Sequence, residues 1–254
     1  MHLALKRNWE EKNDLGVSSS SSIVGFNTSR EQGLFVVPSK SSKESSVLLA
    51  GLDEVLFIGD RAYPVSTRLH RHTVHPRGHE LLENFYYHPF PTWIFRMEGL
   101  TLIKIVLAIY NESTVLIRYQ LLSSYGDFIR LQVRPLTAFR SSSELIREDD
   151  KFVPKVKVEK GMIHLVSPNV HPDMYIFHNA AVVDRTGLWI KEMTYTSDYP
   201  PKEFQVEDLY SPCSFLFPFL KQDGNYLCVS TSPKLRLDPL LLDISEKNRR
   251  SSYP

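Results

Sequence analysis

The sequence predicts an all-β protein, a large antiparallel β-sandwich (supersandwich), from three observations. Apolar and polar residues alternate with a period of two, as they do in a strand with one buried and one exposed face. Pairs of residues that contain glycine or asparagine separate the apolar runs at hairpin spacing. Sixteen prolines occur among the 254 residues, and proline interrupts helices but is tolerated at strand ends and in turns. We therefore expect no helix longer than two turns.

The first fifth of the chain is of low complexity. The serine run 18–22 and the serine-rich stretch 39–46 are expected to be exposed loops, because small hydroxyl side chains bury little apolar surface and are well solvated. The apolar run 34–37 lies between them and predicts a strand.

Two later segments predict strands with different surroundings. In the segment 128–134, Ile129, Leu131 and Val133 alternate with polar residues, which indicates one wet face. The run 100–110 is apolar on both faces, as expected for a central strand covered by a second sheet. Further strands are predicted at 153–158, 162–167, 175–178, 188–195, 214–220 and 226–230, and turns at 111–112, 126–127, 160–161, 186–187 and 223–224.

Composition excludes several classes of protein. The chain is 42% hydrophobic and carries 30 Lys and Arg against 29 Asp and Glu, which excludes a mainly disordered chain and disfavours a nucleic-acid-binding surface. Cys213 and Cys228 are expected to be reduced, buried thiols. The N-terminus lacks the apolar segment of a secretory signal, and no apolar run is long enough to span a membrane. We expect a soluble cytoplasmic protein with no membrane or nucleic-acid partner, and the sequence leaves its oligomeric state open.

Five segments share the order and spacing of one known domain. They are Asn13-Asp14-Leu15-Gly16-Val17; Gly25-Phe26-Asn27-Thr28-Ser29-Arg30, continuing to Phe35; Pro76-Arg77-Gly78 with Leu82, Phe85 and Pro89-Phe90-Pro91-Thr92-Trp93; Arg134-Pro135-Leu136 with Arg140; and Glu207-Asp208-Leu209 with Pro212. Together they resemble the N-terminal domain of bacterial and archaeal type glycogen debranching enzymes, the amylo-α-1,6-glucosidase family of glycoside hydrolases. The resemblance implies a supersandwich domain over 13–232, preceded by an N-terminal segment, 1–12, and followed by a polar tail, 233–254.

The resemblance also implies a role in carbohydrate metabolism. In that family the catalytic carboxylates lie in a following (α/α)6 toroid, so we expect this chain to be inactive alone, to pack on a catalytic glycosidase module and to shape its α-glucan cleft. The implied partners are therefore a glycogen-like α-glucan or that module, and no cofactor is indicated. The residues expected to contact substrate or to lie at the domain interface are Asn13, Asn27, Thr28, Arg30, Arg140, Glu207 and Asp208.

Several of the candidate residues have more than one possible role. Glycosidases need two carboxyl groups flanking the scissile bond, but Glu207 and Asp208 are strand neighbours and should point to opposite faces, which favours a structural or interface role. Arg30 is expected to belong to a loop-locking network, with a contact to a carboxylate or to sugar hydroxyls as the alternative. The histidine-rich segment 70–79 is expected to be exposed strand and loop, with a ligand or anion contact, or a metal site at His70 and His72, as the alternatives.

Aromatic residues and histidines leave further alternatives open. Tyr and Trp side chains could stack on pyranose rings, although most are expected in the core; those considered are Trp93, Trp189, Tyr86, Tyr87 and Tyr210. A stand-alone α-glucan-binding or interaction domain is one alternative function. A mutarotase-like sugar epimerase is another, since such enzymes share the architecture and use a His with a Glu; the candidates are His164, His171 and His178 with Glu203 or Glu207.

Overall fold

The computed structural model describes residues 7–39, 44–71, 73–122, 128–196, 206–219 and 224–251. Within these ranges the chain forms eighteen β-strands and one α-helix. The strands are β1 (Asn8–Lys12), β2 (Ser18–Ser22), β3 (Gly33–Val37), β4 (Ser46–Ile58), β5 (Arg61–Pro64), β6 (Thr67–His70), β7 (Thr73–Arg77), β8 (Leu82–Tyr86), β9 (Thr92–Met97), β10 (Leu100–Ala108), β11 (Thr114–Leu122), β12 (Ile129–Ser141), β13 (Lys155–Glu159), β14 (Met162–Val166), β15 (Met174–His178), β16 (Val182–Thr194), β17 (Val206–Pro218) and β18 (Asn225–Ser230). The helix is α1 (Pro239–Ser251).

The strands form two antiparallel sheets, so the predicted β-sandwich is confirmed. The larger sheet has ten strands in the order β1-β2-β3-β4-β12-β17-β16-β6-β7, with β5 paired to β4. The smaller sheet has eight strands in the order β13-β14-β15-β18-β11-β10-β9-β8. β1 and β8 are therefore terminal strands of the two sheets in the described part of the chain.

The core lies between the sheets and follows the predicted alternation. On β12, Ile129, Leu131 and Val133 are buried while the residues between them are half-buried. β10 is central in the smaller sheet, as expected, and Leu102 and Val106 are fully buried in the same core. Each such side chain contributes about 1.5–3 kcal/mol through its removal from water, so these strands make up much of the stable part of the domain.

The expectation that the serine run is an exposed loop is wrong. Residues 18–22 form β2, which pairs with β1 on one side and β3 on the other. Ser19 and Ser22 are fully buried, and the Oγ of Ser21 accepts a hydrogen bond of 3.0 Å from the Trp9 indole. Pairing on both edges satisfies the backbone of this segment, which removes the main cost of burying small polar residues.

The expectation that no helix exceeds two turns is also wrong, since α1 has thirteen residues. The Asp238 side chain accepts a hydrogen bond of 2.9 Å from the Leu240 N–H, and Pro239 is the first helical residue. This Asp-Pro pair is a typical helix start. The helix lies within the segment expected to be a polar tail; the boundaries at 12/13 and 232/233 stay predictions. In the described ranges, no helix has the length and apolar character needed to cross a membrane.

Two predicted turns and both predicted thiols are present in the structure. The turns at 111–112 and 160–161 are confirmed, with positive φ at Asn111 and Gly161. Thr186-Gly187 is not a turn: it lies within β16 at a register shift, where Gly187 adopts φ +61°. Cys213 and Cys228 are free and buried, as expected. The pair 126–127 and Asp223 lie outside the described residues.

Candidate functional site

The candidate site is built where β12 and β17 run side by side, because these strands carry Arg140 and Glu207. The register of β12 with β4 shifts between Thr137 and Arg140, and Phe139 has φ +47° at this irregularity. A bulky residue in this backbone region costs about 1–3 kcal/mol, and a bulge commonly changes the direction of the neighbouring side chain. The strain therefore lies immediately before Arg140.

Arg140 and Glu207 form a bidentate ion pair inside the domain. The Arg140 Nε donates to one carboxylate oxygen of Glu207, and Nη2 donates to the other at 3.0 Å. The remaining Arg140 donors reach the backbone oxygens of Arg30 at 2.9 Å and Ser141 at 3.0 Å. Burial of a charge pair is tolerable when hydrogen bonds satisfy both groups, and here the guanidinium has four.

Glu207 has two further donors. The Tyr195 hydroxyl donates to Oε2, and the Ile146 N–H donates to Oε1 at 3.5 Å. Burial, together with the neighbouring carboxylate, raises the pKa of Tyr195 well above its usual value, so this phenol stays protonated and keeps donating. Tyr195 and Ile146 belong to the site, although no sequence motif singled them out.

Asp208 holds a different set of donors. Its carboxylate accepts hydrogen bonds from the backbone N–H groups of Glu148 at 3.0 Å and Glu192 at 2.9 Å, and its own N–H donates to Ile146 at 3.0 Å. The two adjacent carboxylates thus contact separate partners, as expected for strand neighbours. Both carboxylates tie the segment 146–148 to β17.

The loop 23–32 is fixed to the same network. The Asn27 amide donates to the Ala50 carbonyl at 2.9 Å, which anchors the loop to β4. The Gln32 side chain accepts from the Thr28 N–H at 2.6 Å, and Arg30 is held through its carbonyl by Arg140 and through its own Nη1, which donates to Ser143 at 3.3 Å. Gln32 is therefore an internal brace of the loop.

Asn13 forms a second, separate network. Its amide donates to the carbonyl oxygens of Ile109 and Glu112, both at 2.7 Å, and its Oδ1 accepts from the N–H groups of Leu15 and Val17, both at 3.0 Å. These bonds join the loop 13–17 to the β10–β11 turn in the smaller sheet. Of the seven predicted site residues, the structure brings together Asn27, Thr28, Arg30, Arg140, Glu207 and Asp208, and it places Asn13 elsewhere.

A groove of about 890 Å³ lies between the two networks. Val17 lines it from the first motif loop, and Ser141 and Glu144 line it from the segment after β12. The His171 Nδ1 lies 2.8 Å from the Ser46 Oγ in its wall, and burial, partly opposed by Glu144, lowers the pKa of His171. Ser46 is only 4% exposed, so this pair supports the wall and is poorly placed for nucleophilic attack.

The histidines proposed for an epimerase have separate partners. His164 contacts Asp173 at 2.7 Å, and His171 contacts Ser46. His178 is buried against Phe215, and burial lowers its pKa to about 4. Glu203 lies outside the described residues.

His70, the first histidine of the segment 70–79, contacts backbone oxygens through both ring nitrogens. The two ring nitrogens of His70 lie 2.9 Å from the Lys191 oxygen and 3.1 Å from the His75 oxygen, so neither nitrogen is available as a metal ligand in this arrangement. His72 lies outside the described residues. The described ranges contain no cluster of three or more His, Cys, Asp or Glu side chains arranged to hold a metal ion.

The fold of this chain is a two-sheet antiparallel supersandwich. Residues 7–225 match the family described as "Glycogen debranching enzyme N terminal", and the chain belongs to this family. Among solved structures, the chain is similar to a bacterial glucoamylase complexed with acarbose, with a TM-score of 0.46 and 8% identity over 97% of this chain and 38% of that chain. It thus spans well under half of the glucoamylase.

A second similar structure is a GalM/aldose epimerase homologue from C. elegans, with a TM-score of 0.48 and 9% identity over 88% of this chain and 98% of that chain. No curated protein matches the sequence.

Proposed function

We propose that this chain is the non-catalytic N-terminal-type domain of a glycogen debranching enzyme, which packs on a catalytic (α/α)6 module and shapes its α-glucan cleft. The main support is the state of the two candidate carboxylates. Glu207 is 0% and Asp208 is 6% exposed, and donors of the chain itself hold both. Hydrolysis of a glycosidic bond needs two carboxyl groups that reach the substrate, so this arrangement favours a structural role.

The way the loop 23–32 is held supports a role in shaping a cleft. Its backbone is fixed by Asn27, by the carbonyl of Arg30 and by the Gln32 brace, while Glu31 is exposed. A loop that is rigid before it meets a partner loses little conformational entropy on binding. Such a loop is suited to forming one wall of a cleft whose catalytic groups come from another module.

The helix α1 supports the presence of a packing partner. Its acidic residues Asp243 and Glu246 face the domain, where Asp243 pairs with Arg118 and Glu246 accepts from the Tyr110 N–H at 2.8 Å. Its apolar residues Leu241 and Ile244 are 52% and 53% exposed. Leu237, 38% exposed, lies two residues before the first helical residue, and these three apolar residues are here called the α1 stripe. Rimmed apolar patches of this kind are typical of protein–protein interfaces.

The proposal is tested by reconstitution. A debranching-type (α/α)6 module expressed without its own N-terminal domain is mixed with this chain, and glucose release from a limit dextrin is measured together with association by calorimetry. We expect the mixture to associate and to release glucose faster than the module alone, while this chain alone releases none. Glucose release by the isolated chain contradicts the non-catalytic assignment, and absence of association contradicts the packing role.

Two variants make the reconstitution specific. The double substitution Leu241→Glu and Ile244→Glu charges the α1 stripe and is expected to abolish association, because charged groups cannot be desolvated at an apolar interface without partners. The matched control is Val158→Glu on β13, which is 47% exposed and lies away from α1. The control variant should associate like the unaltered chain.

A further inference from the structure

We propose that the open edge of the sandwich between β1 and β8 binds an α-1,4-glucan chain. The two strands are terminal in their respective sheets, and a groove of about 570 Å³ lies between them. This volume is within the range of small-molecule clefts. The inference rests on the proposed function only for the choice of an α-glucan among polyhydroxylated ligands.

Aromatic side chains line the groove in fixed positions. Tyr87 is 42% exposed, and its hydroxyl donates to the Glu10 carbonyl on β1, so the ring bridges the two edges. Phe85 packs with its ring centroid 5.0 Å from that of Trp93, which is buried. The apolar face of a pyranose ring packs well on an aromatic ring, and a ring already fixed costs little entropy to use.

Polar groups of the groove suit a neutral ligand with many hydroxyls. Asn8 and Asn84 supply amide groups, each of which donates and accepts hydrogen bonds. Arg7 and Glu83 also line the groove, and Glu83 is paired with Arg96 at 2.9 Å, so its carboxylate does not favour a cation. Paired hydroxyls of a glucose unit match this mixture of planar donors and acceptors.

The groove is continuous with the loop that carries the debranching-family motif. The Thr28 hydroxyl donates to the Asn8 side chain at 3.1 Å, and Ile23, at the start of the loop, lines the groove. A glucan chain held at the sandwich edge would therefore run beside the rigid loop 23–32. A glucan chain bound in the groove would in this way be directed along the loop 23–32.

The test is titration of the full chain with maltoheptaose, followed by calorimetry and by amide NMR shifts, with cellohexaose as the β-linked control. We expect saturable maltoheptaose binding, with the largest shifts at residues 7–8, 23 and 82–87, and weaker cellohexaose binding. Shifts mapped on the unaltered chain do not depend on whether a variant folds. No binding at millimolar maltoheptaose, or shifts confined to another surface, overturns the proposal.

Variants assign the binding to the groove. Tyr87→Ala should weaken maltoheptaose binding at least about tenfold, equal to about 1.4 kcal/mol, whereas Tyr87→Phe keeps the ring and should retain most of it. Phe128→Ala is the matched control, since Phe128 is 58% exposed and outside the groove lining. Unchanged affinity in Tyr87→Ala overturns the proposal.

This outcome is separable from that of the proposed function. A chain that associates with the catalytic module but does not bind maltoheptaose overturns the groove alone. A chain that binds maltoheptaose in the groove without associating with the module supports the groove and contradicts the packing role.

Discussion

Arg140 and Glu207 are paired in a setting almost without solvent: the two side chains are 1% and 0% exposed and meet through two hydrogen bonds. The pair joins β12 to β17, and the bond from Arg140 to the Arg30 carbonyl joins the loop 23–32 to both strands. Since the Arg30 carbonyl and the Ile146 N–H bind the two members of this pair, local stability and the geometry of the loop are coupled.

Removal of one partner of this pair should be costly. Glu207→Gln is expected to lower the free energy of unfolding by about 3–5 kcal/mol, because it leaves the Arg140 charge buried without a counterion. This change in the free energy of unfolding is measured by urea denaturation, with tryptophan fluorescence as the signal. The double variant Arg140→Met with Glu207→Leu should lose less free energy of unfolding than the sum of the losses in the two single variants.

The control for this prediction is an exposed ion pair. Arg77 and Glu80 are 2.8 Å apart, with side chains 55% and 51% exposed, and Arg77→Ala should leave the unfolding midpoint nearly unchanged because surface pairs contribute little. A Glu207→Gln midpoint equal to that of the Arg77→Ala control would show that the buried pair contributes nothing.

Acid should destabilise the domain through His178. Burial lowers its pKa to about 4, whereas the unfolded chain takes up the proton near 6.5. The unfolded state therefore binds more protons between these values, so the free energy of unfolding falls as the pH is lowered from about 6.5 to about 4, by about 3 kcal/mol in all. His178→Phe should remove this part of the pH dependence. If urea titrations at several pH values give the same slope of unfolding free energy against pH for the unaltered chain and for His178→Phe, the prediction is contradicted.

The packing of α1 predicts opposite results for two adjacent leucines. Leu242 is fully buried in a cluster with Leu116 and Cys228, and Leu242→Ala should cost about 2–5 kcal/mol. Leu241 is 52% exposed, and Leu241→Ala should be close to neutral in the isolated chain. Thermal unfolding by circular dichroism measures both, and equal losses would contradict the orientation of the helix.

The two side-chain networks should loosen independently. Asn13→Ala removes both hydrogen bonds to the β10–β11 turn and should speed amide exchange at 13–17 and 109–114. Asn27→Ala removes the anchor to Ala50 and should speed exchange in 23–32 instead. Hydrogen exchange read by mass spectrometry distinguishes them, and a shared response would show that the networks are one unit.

Most residues of the candidate site could be predicted from the sequence, but the contacts between them could not. Asn27, Thr28, Arg30, Arg140, Glu207 and Asp208 were expected at a substrate or domain interface, and they do lie together. Tyr195, Ile146 and the brace by Gln32 were not expected. Tyr195 and Ile146 lie 12 and 61 residues from Glu207 along the chain, and hydrogen bonds across such distances leave no local pattern. Gln32 is only four residues from Thr28, but a single glutamine in a polar loop carries no signal that its side chain binds the loop backbone.

The period-two alternation in segments such as 128–134 predicts the antiparallel sandwich and about half of its strands, because this alternation is a direct consequence of strand geometry. The conformation of segments with an ambiguous local composition depends instead on contacts with distant parts of the chain. The serine run became β2 because β1 and β3 satisfy its backbone on both edges. The polar C-terminal segment became α1 because Arg118 neutralises Asp243 and the smaller sheet receives Leu242. In both cases the deciding partners are distant in sequence and adjacent only after folding.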